Sequence, residues 1–364
     1  MPSSRTARPR SPTIRDIAAA AEVSVATVSK FINGLKRFSP KVEAKITAAI
    51  DQFGYRSNPL ARSMITGRTM AIGVVILDIR NPHFTGIVKG ANRAAVRAGF
   101  NLLFVDTEEG GTAERPLLEA VAGRVDGLIV SSRLPEDSIT WLGDLGKPVV
   151  FFGKLGRLGI HSVSGDGFSA AFMLGRHLVE LGHRRLAYVG FPASRWNQDR
   201  LRGLREALAG TDVALEVFDV STPMAEAGEE VASSVLMGAT RFDAIVAYND
   251  LVALGLMSEA RALGVRIPED VSIAGFDNIL YGRFSYPTLT TVDLHSERMG
   301  ELAVERLLQV IAGTLTPFDE TLAARLVPRD STRRRVPQQS SARDSPAAVA
   351  TTPRTSPSRP GRKR

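Results

Sequence analysis

The chain has 364 residues, no cysteine and a formal net charge of +8. That length suits two or three domains with a sizeable apolar core, and the lack of cysteine excludes a disulfide scaffold, a thiolate metal site and a thiol nucleophile. No apolar run is long enough to span a membrane, and the basic start, Met1 to Arg10, is not followed by the apolar stretch of a secretory signal. A cytoplasmic protein is therefore expected.

Charge is segregated along the chain. Residues 1–69 hold 12 Lys/Arg against 4 Asp/Glu, residues 331–364 hold 9 against 1, and residues 70–330 are left with 25 against 33. A basic head on an acidic body is an electrostatic footprint for polyphosphate. A solvated charged surface would give the same balance.

Residues 1–12 are a Ser/Pro/Arg arm without apolar period. From Thr13 the pattern turns helical. Thr13 with Asp16 resembles a capping box, and Ile14, Ile17, Ala18 and Ala21 form one apolar stripe. After a short break at Glu22–Val23, Ser24 caps a second helix, Val25 to Asn33, closed by Gly34. Val28, Phe31 and Ile32 face inward on it, while Val25, Ala26, Ser29 and Lys30 form a face open to close approach. Ser39–Pro40 starts a third helix whose core face is Val42, Ile46, Ala49, Ile50 and Phe53, with Gly54 as the stop. Three short helices with a tight second turn make a helix-turn-helix bundle, whose second helix enters a DNA major groove.

The run from Thr13 to Gly34, followed by Gly54-Tyr-Arg-Ser-Asn-Pro-Leu-Ala-Arg-Ser63, resembles the headpiece signature of the lactose/galactose-repressor family (LacI/GalR). The resemblance implies a headpiece at 13–57, a hinge helix and linker at 58–68, and a two-lobed periplasmic-binding-protein-like α/β core at 69–330. Its doubly wound lobes would take residues 69–163 with 292–320, and 164–291 with 321–330. Residues 331–364 are low-complexity and basic, and a disordered tail is expected there.

By the same resemblance, Val25, Ala26 and Lys30 take base-reading positions. Lys30 can donate to guanine O6 or N7, whereas Val25 and Ala26 offer only apolar contact with thymine methyls. Ser24, Thr27 and Ser29 are placed for phosphates, and Asn33 and Arg62 complete the DNA-facing set. Met64 takes the position of the apolar side chain that wedges between central base pairs in the minor groove. Glu22 departs from the family, which usually has glycine in the turn; a non-glycine residue in left-handed geometry costs about 1 kcal/mol.

Residues 70–330 alternate apolar runs with helical stretches. The runs Ala71–Leu77, Phe100–Val105, Gly127–Val130, Val149–Phe152, Leu186–Val189, Glu216–Val220, Ala244–Ala247 and Ser272–Gly275 read as strands of a parallel sheet covered on both faces. Such sheets bind ligands beyond the carboxyl ends of their strands. Arg200, Asn249 and Asp277 match family positions lining the effector pocket, and Phe84 and Trp196 offer apolar faces for a sugar ring. A guanidinium, an amide and a carboxylate together suit a polyol. Each also has a plainer reading: an exposed arginine, a helix cap, a turn residue. Gly153 replaces the acidic residue of some sugar-responsive relatives, so a nucleoside or sugar acid stays open beside a sugar.

No phosphate loop, dinucleotide fingerprint, zinc-protease motif or nucleophile elbow occurs, and His161, His177, His183 and His295 lack metal-ligand spacing. No enzyme and no cofactor are expected. A secreted sugar-binding protein would share the body but have no use for residues 13–64. The expectation is a homodimeric transcriptional regulator, most simply a repressor, that binds a pseudo-palindromic operator and a small-molecule effector.

Overall fold

The computed structural model describes residues 12–56, 66–109, 114–153, 161–314 and 318–335. The expectations for the arm at 1–11, for Arg62 and Met64 in the hinge, and for the segment beyond Arg335 fall outside the described residues. The tail expected from residue 331 is corrected at its start: Ser331 is fully buried, and the Arg335 N–H donates to the Leu181 carbonyl at 2.8 Å.

The headpiece folds as α1 (Ile14–Ala20), α2 (Val25–Ile32) and α3 (Pro40–Phe53). The Asp16 carboxylate accepts from the Thr13 backbone N–H at 2.7 Å and from its hydroxyl at 2.8 Å, which anchors the start of α1. Ile17, Ala18, Ala21, Val28, Ile46 and Ala49 form the buried centre. Glu22 does adopt the left-handed conformation, with φ at 54°, and its carboxylate is in close contact with the Lys45 ammonium on α3. The expected core role of Phe53 is corrected: it is 42% exposed. Gly54 at φ 58° ends the helix there, and Tyr55 packs on the core instead.

The body contains two parallel sheets. The first has the order β11-β5-β4-β3-β1-β2, formed by β1 (Ala71–Ile76), β2 (Asn101–Asp106), β3 (Gly127–Val130), β4 (Val149–Phe152), β5 (His161–Gly165) and β11 (Asp319–Leu322). Helices α4 (Pro82–Arg97), α5 (Glu114–Ala122) and α10 (Ser296–Ile311) accompany it. Ile72, Val74 and Ile76 bury into one apolar cluster with α4 and α10, while Val75 and its neighbours bury into another with α5. Alternate residues of β1 thus serve opposite faces, as a strand covered on both sides requires. Helices α4 and α10 approach so closely that a Cβ on Gly90 would lie 1.8 Å from the Glu297 carbonyl oxygen.

The second sheet has the order β7-β6-β8-β9, from β6 (Arg185–Gly190), β7 (Ala214–Asp219), β8 (Ala244–Ala247) and β9 (Ser272–Ala274). Around it lie α6 (Gly167–Glu180), α7 (Arg195–Leu208), α8 (Ala225–Met237) and α9 (Asp250–Ala262). A two-stranded antiparallel pair, β10 (Thr291–Asp293) with β12 (Arg325–Val327), completes the described strands. The chain passes between the lobes near 165–167, 293–296 and 322–325. The three expected lobe boundaries, 163/164, 291/292 and 320/321, fall inside β5, β10 and β11, the last of which pairs with β5 over Asp319–Leu322.

Four strands were not anticipated: β5, β10, β11 and β12. β5 reads His-Ser-Val-Ser-Gly, a polar stretch by composition, yet Ser162 and Ser164 are buried. The Ser162 hydroxyl donates to Asp319 Oδ1 at 2.5 Å, and the Ser164 hydroxyl lies 3.2 Å from that of Thr321. Its burial is made possible by a neighbour far away in sequence.

Candidate DNA-reading face and effector cleft

On α2, Ser24, Val25, Ala26 and Lys30 are exposed, and Thr27, Ser29 and Asn33 are half-buried. Ser24 Oγ accepts from the Thr27 backbone N–H at 3.1 Å and lies 2.9 Å from its hydroxyl, so both side chains take part in the cap. Asn33 Nδ2 donates to the Ser29 carbonyl at 2.9 Å. Val28 anchors the opposite face. The helix therefore presents a small-residue, singly cationic surface outward, held rigid by its cap and its apolar stripe.

Phe84, Trp196, Arg200, Asn249 and Asp277 all line one cavity, together with His83, Arg133 and Tyr248. These residues come from α4, α7, the loop after β3, and the carboxyl ends of β8 and β9. Both lobes contribute. Arg200 is 3% exposed and lies between the rings of Tyr248 and Phe276, 4.7 and 4.5 Å from their centroids. It donates to the Tyr248 carbonyl and, at 3.3 Å, to Asp277 Oδ1. Its Nε has no partner among the described residues. The exposed-arginine reading of Arg200 does not survive this geometry.

Asp277 and Asn278 have φ of 102° and 52°, a strained backbone of the kind concentrated at binding sites. Asn249 does serve as a cap, accepting from the Val252 N–H at 2.9 Å, and its Nδ2 donates to the Pro223 carbonyl at 2.8 Å. It lines the cavity while one of its N–H groups and one lone pair of its oxygen hold the walls. His83 Nδ1 lies 2.8 Å from the Ser296 hydroxyl and 3.8 Å from Asp277 Oδ1. Burial pushes the His83 pKa down, against the opposing pull of Asp277, so a neutral ring faces the cleft.

Trp196 separates this cavity, of about 20 Å³, from a second of about 50 Å³ bounded by Ser131, Ser132, Arg133, Gly153, Ser194, Arg195 and Asp199. Arg133 crosses from the first lobe: its Nη1 donates to Ser194 Oγ at 3.0 Å and its Nε to Glu109 at 2.7 Å. Arg195 crosses the other way to the Leu134 carbonyl and lies over the Phe151 ring at 5.3 Å. Such volumes hold one or a few waters, far below the ~300 Å³ of a ligand pocket. A sugar-sized ligand needs the lobes to part or Trp196 to swing.

His83, Arg133, Tyr248 and Ser131 were missed as site residues. Ser131 to Arg133 follow directly on β3, so the rule that ligands bind beyond carboxyl ends of strands would have found them. His83 directly precedes Phe84, which was itself expected at the cleft. Among the described residues no cluster suits a metal ion.

A helix-turn-helix headpiece joined to a two-lobed body with a polar cleft defines a DNA-binding transcriptional regulator of the ligand-sensing kind. Residues 13–58 match the bacterial regulatory proteins of the lacI family, and residues 176–332 a periplasmic binding protein-like domain. The chain is 31% identical over 325 residues to the ribose operon repressor of Halalkalibacterium halodurans, covering 88% of this chain and 97% of that protein. It is 29% identical over 306 residues to the HTH-type transcriptional repressor PurR of Photobacterium profundum, 82% of this chain and 91% of that one. Among solved structures, the lac repressor dimer bound to operator and the anti-inducer ONPF superposes with a TM-score of 0.81 at 25% identity, covering 89% of this chain and all of that one. A lacI-family regulator from Enterococcus faecium with bound ribose gives 0.67 at 26% identity, over 73% of this chain and 100% of its own. The chain belongs to the lacI family of bacterial regulatory proteins.

Proposed function

We propose that this regulator is a homodimeric repressor whose operator affinity is set by a sugar or sugar derivative bound between its lobes. The observation that carries the effector reading is the convergence of Arg200, Asp277, Asn249, His83 and Trp196 from both lobes on one cavity. A guanidinium fork, a carboxylate and a neutral imidazole next to an indole match neighbouring hydroxyls on an apolar ring. The ribose named for two of its relatives supports the same class. Because cleft groups bridge the lobes through Arg133, Arg195 and His83, an occupant that parts them binds one lobe arrangement better than the other. That difference in affinity is the whole source of control.

In this reading Val25, Ala26 and Lys30 meet base edges, Ser24, Thr27 and Ser29 meet phosphates, and Asn33, Arg62 and Met64 complete the contact. The domain limits are headpiece 13–57, hinge 58–68 and a sensor that runs from 69 to at least Arg335.

The test is thermal unfolding of the full chain against sugars, polyols, sugar acids and nucleosides, with Arg200→Ala beside it. A ligand at 100 times its Kd adds about 2.7 kcal/mol. A gain with one sugar that disappears in Arg200→Ala is the expected result. A gain with a nucleoside or sugar acid only would reassign the effector, and a gain unchanged in Arg200→Ala would move it out of the cleft.

A further inference from the structure

A cavity larger than the cleft lies away from it. It lies at the opposite end of the second lobe, has a volume of about 680 Å³, and is walled by His183, Arg185, Arg241, Phe242, Asp243, Arg266, Glu269, Asp270, Arg333 and Arg335. Arg185, Asp243 and Val271 stand at or just before the amino ends of β6, β8 and β9. The cleft uses the carboxyl ends of the same sheet, about 16 Å along β8 at ~3.3 Å per residue.

Its charge is unbalanced. Five arginines face three carboxylates, and two of those are spent: Asp270 on Arg266 at 2.7 Å and Asp243 on Arg335 at 3.1 Å. Arg185, Arg241 and Arg333 have no carboxylate within ion-pair distance among the described residues. Arg241 and Arg333 donate to the carbonyls of Leu236 and Glu269, at 2.8 Å each.

The second observation is His183. It is 3% exposed in the cavity wall and lies against the Arg333 backbone, whose hydrogen bond pulls its pKa up against the larger effect of burial. A ring in that position reports on what occupies the cavity.

We propose that this cavity is a second ligand site, remote from the cleft, for a small molecule carrying phosphate. Three guanidinium groups without a carboxylate partner, two of them holding one carbonyl each, keep forked donors that phosphate oxygens accept. The cavity volume falls in the range of small-molecule sites, and Phe242 with Leu263, Val265 and Val271 gives an apolar floor for the rest of the ligand.

The probe is pyrophosphate, titrated into the full-length protein with labelled histidine at constant ionic strength against chloride. Five histidines make a sparse spectrum, and the His183 signals are identified by their loss in His183→Gln. Pyrophosphate bound at the headpiece leaves these signals in place. The expected result is a saturable shift of His183, weakened about tenfold or more in Arg185→Gln/Arg241→Gln as two charge-assisted contacts are lost. Operator binding by that double variant keeps a folding failure separate. A His183 signal unmoved by millimolar pyrophosphate, or a titration unchanged in the double variant, overturns the proposal.

Discussion

Arg200 is held by two rings and two acceptors, and this geometry separates arginine from lysine at the position. A lysine ammonium carries the charge but not the planar fork, so Arg200→Lys leaves either the Tyr248 carbonyl or Asp277 without its donor. Loss of one charge-assisted bond is worth about tenfold to a hundredfold. We expect Arg200→Lys to weaken effector affinity by that much in calorimetric titration while operator binding without effector persists. On α2, Lys30 is the sole cation of the reading face, and Lys30→Ala should cost about 1–3 kcal/mol of operator affinity. The loss should appear at one base-pair position in a substitution scan of the selected operator; a uniform loss would make Lys30 a phosphate contact instead. Arg200, Asn249 and Asp277 were legible through family resemblance. The dual duty of Asn249 was not, because a cap and a pocket wall look alike until Pro223 is placed beside it.

At the scale of elements, the eight strands recognised in advance are those whose apolar runs need no distant partner to be read. β5 escaped because its serines are satisfied by Asp319 and Thr321, each 157 residues away. The loop at His183, between α6 and β6, gives a pH prediction. Burial lowers the His183 pKa from 6.5 to about 4. Between those values the unfolded chain binds the proton and the folded chain does not, so stability rises with pH across this window and is lost as pH falls from 6.5 towards 4. The shift corresponds to about 3 kcal/mol. Asp250 and Glu114, both buried with raised pKa values, slope the other way, so the comparison must be with His183→Gln. Chemical denaturation at pH 7 and pH 5 should show a smaller drop for the variant than for the unchanged chain.

For the whole molecule, the exposed run Leu280, Tyr281, Phe284 and Tyr286 is the surface least suited to water: Phe284 is 76% exposed and Tyr286 entirely so. Large apolar patches on a soluble chain mark contact surfaces, and a second copy is the occupant the proposed two-fold operator demands. Phe284→Glu is expected to sediment as a monomer and to lose operator affinity together with the second half-site. A dimer that persists would locate the interface elsewhere. The alternating strand–helix pattern made the fold class legible, but not the triple passage of the chain between lobes, since nothing local distinguishes a crossover from any other loop.

That triple passage has a consequence during synthesis. The edge strand of the first sheet, β11, begins at Asp319 and pairs with β5, which ends at Gly165. At 5–20 residues per second, the ribosome takes about 8 to 30 s to make the stretch between them. Throughout that interval β5 offers an unpaired edge, and for most of it α4 lacks its partner α10, both open to wrong pairing with a neighbouring nascent chain. The first lobe, though begun before the second, waits for its edge strand until nearly all of the second has been translated.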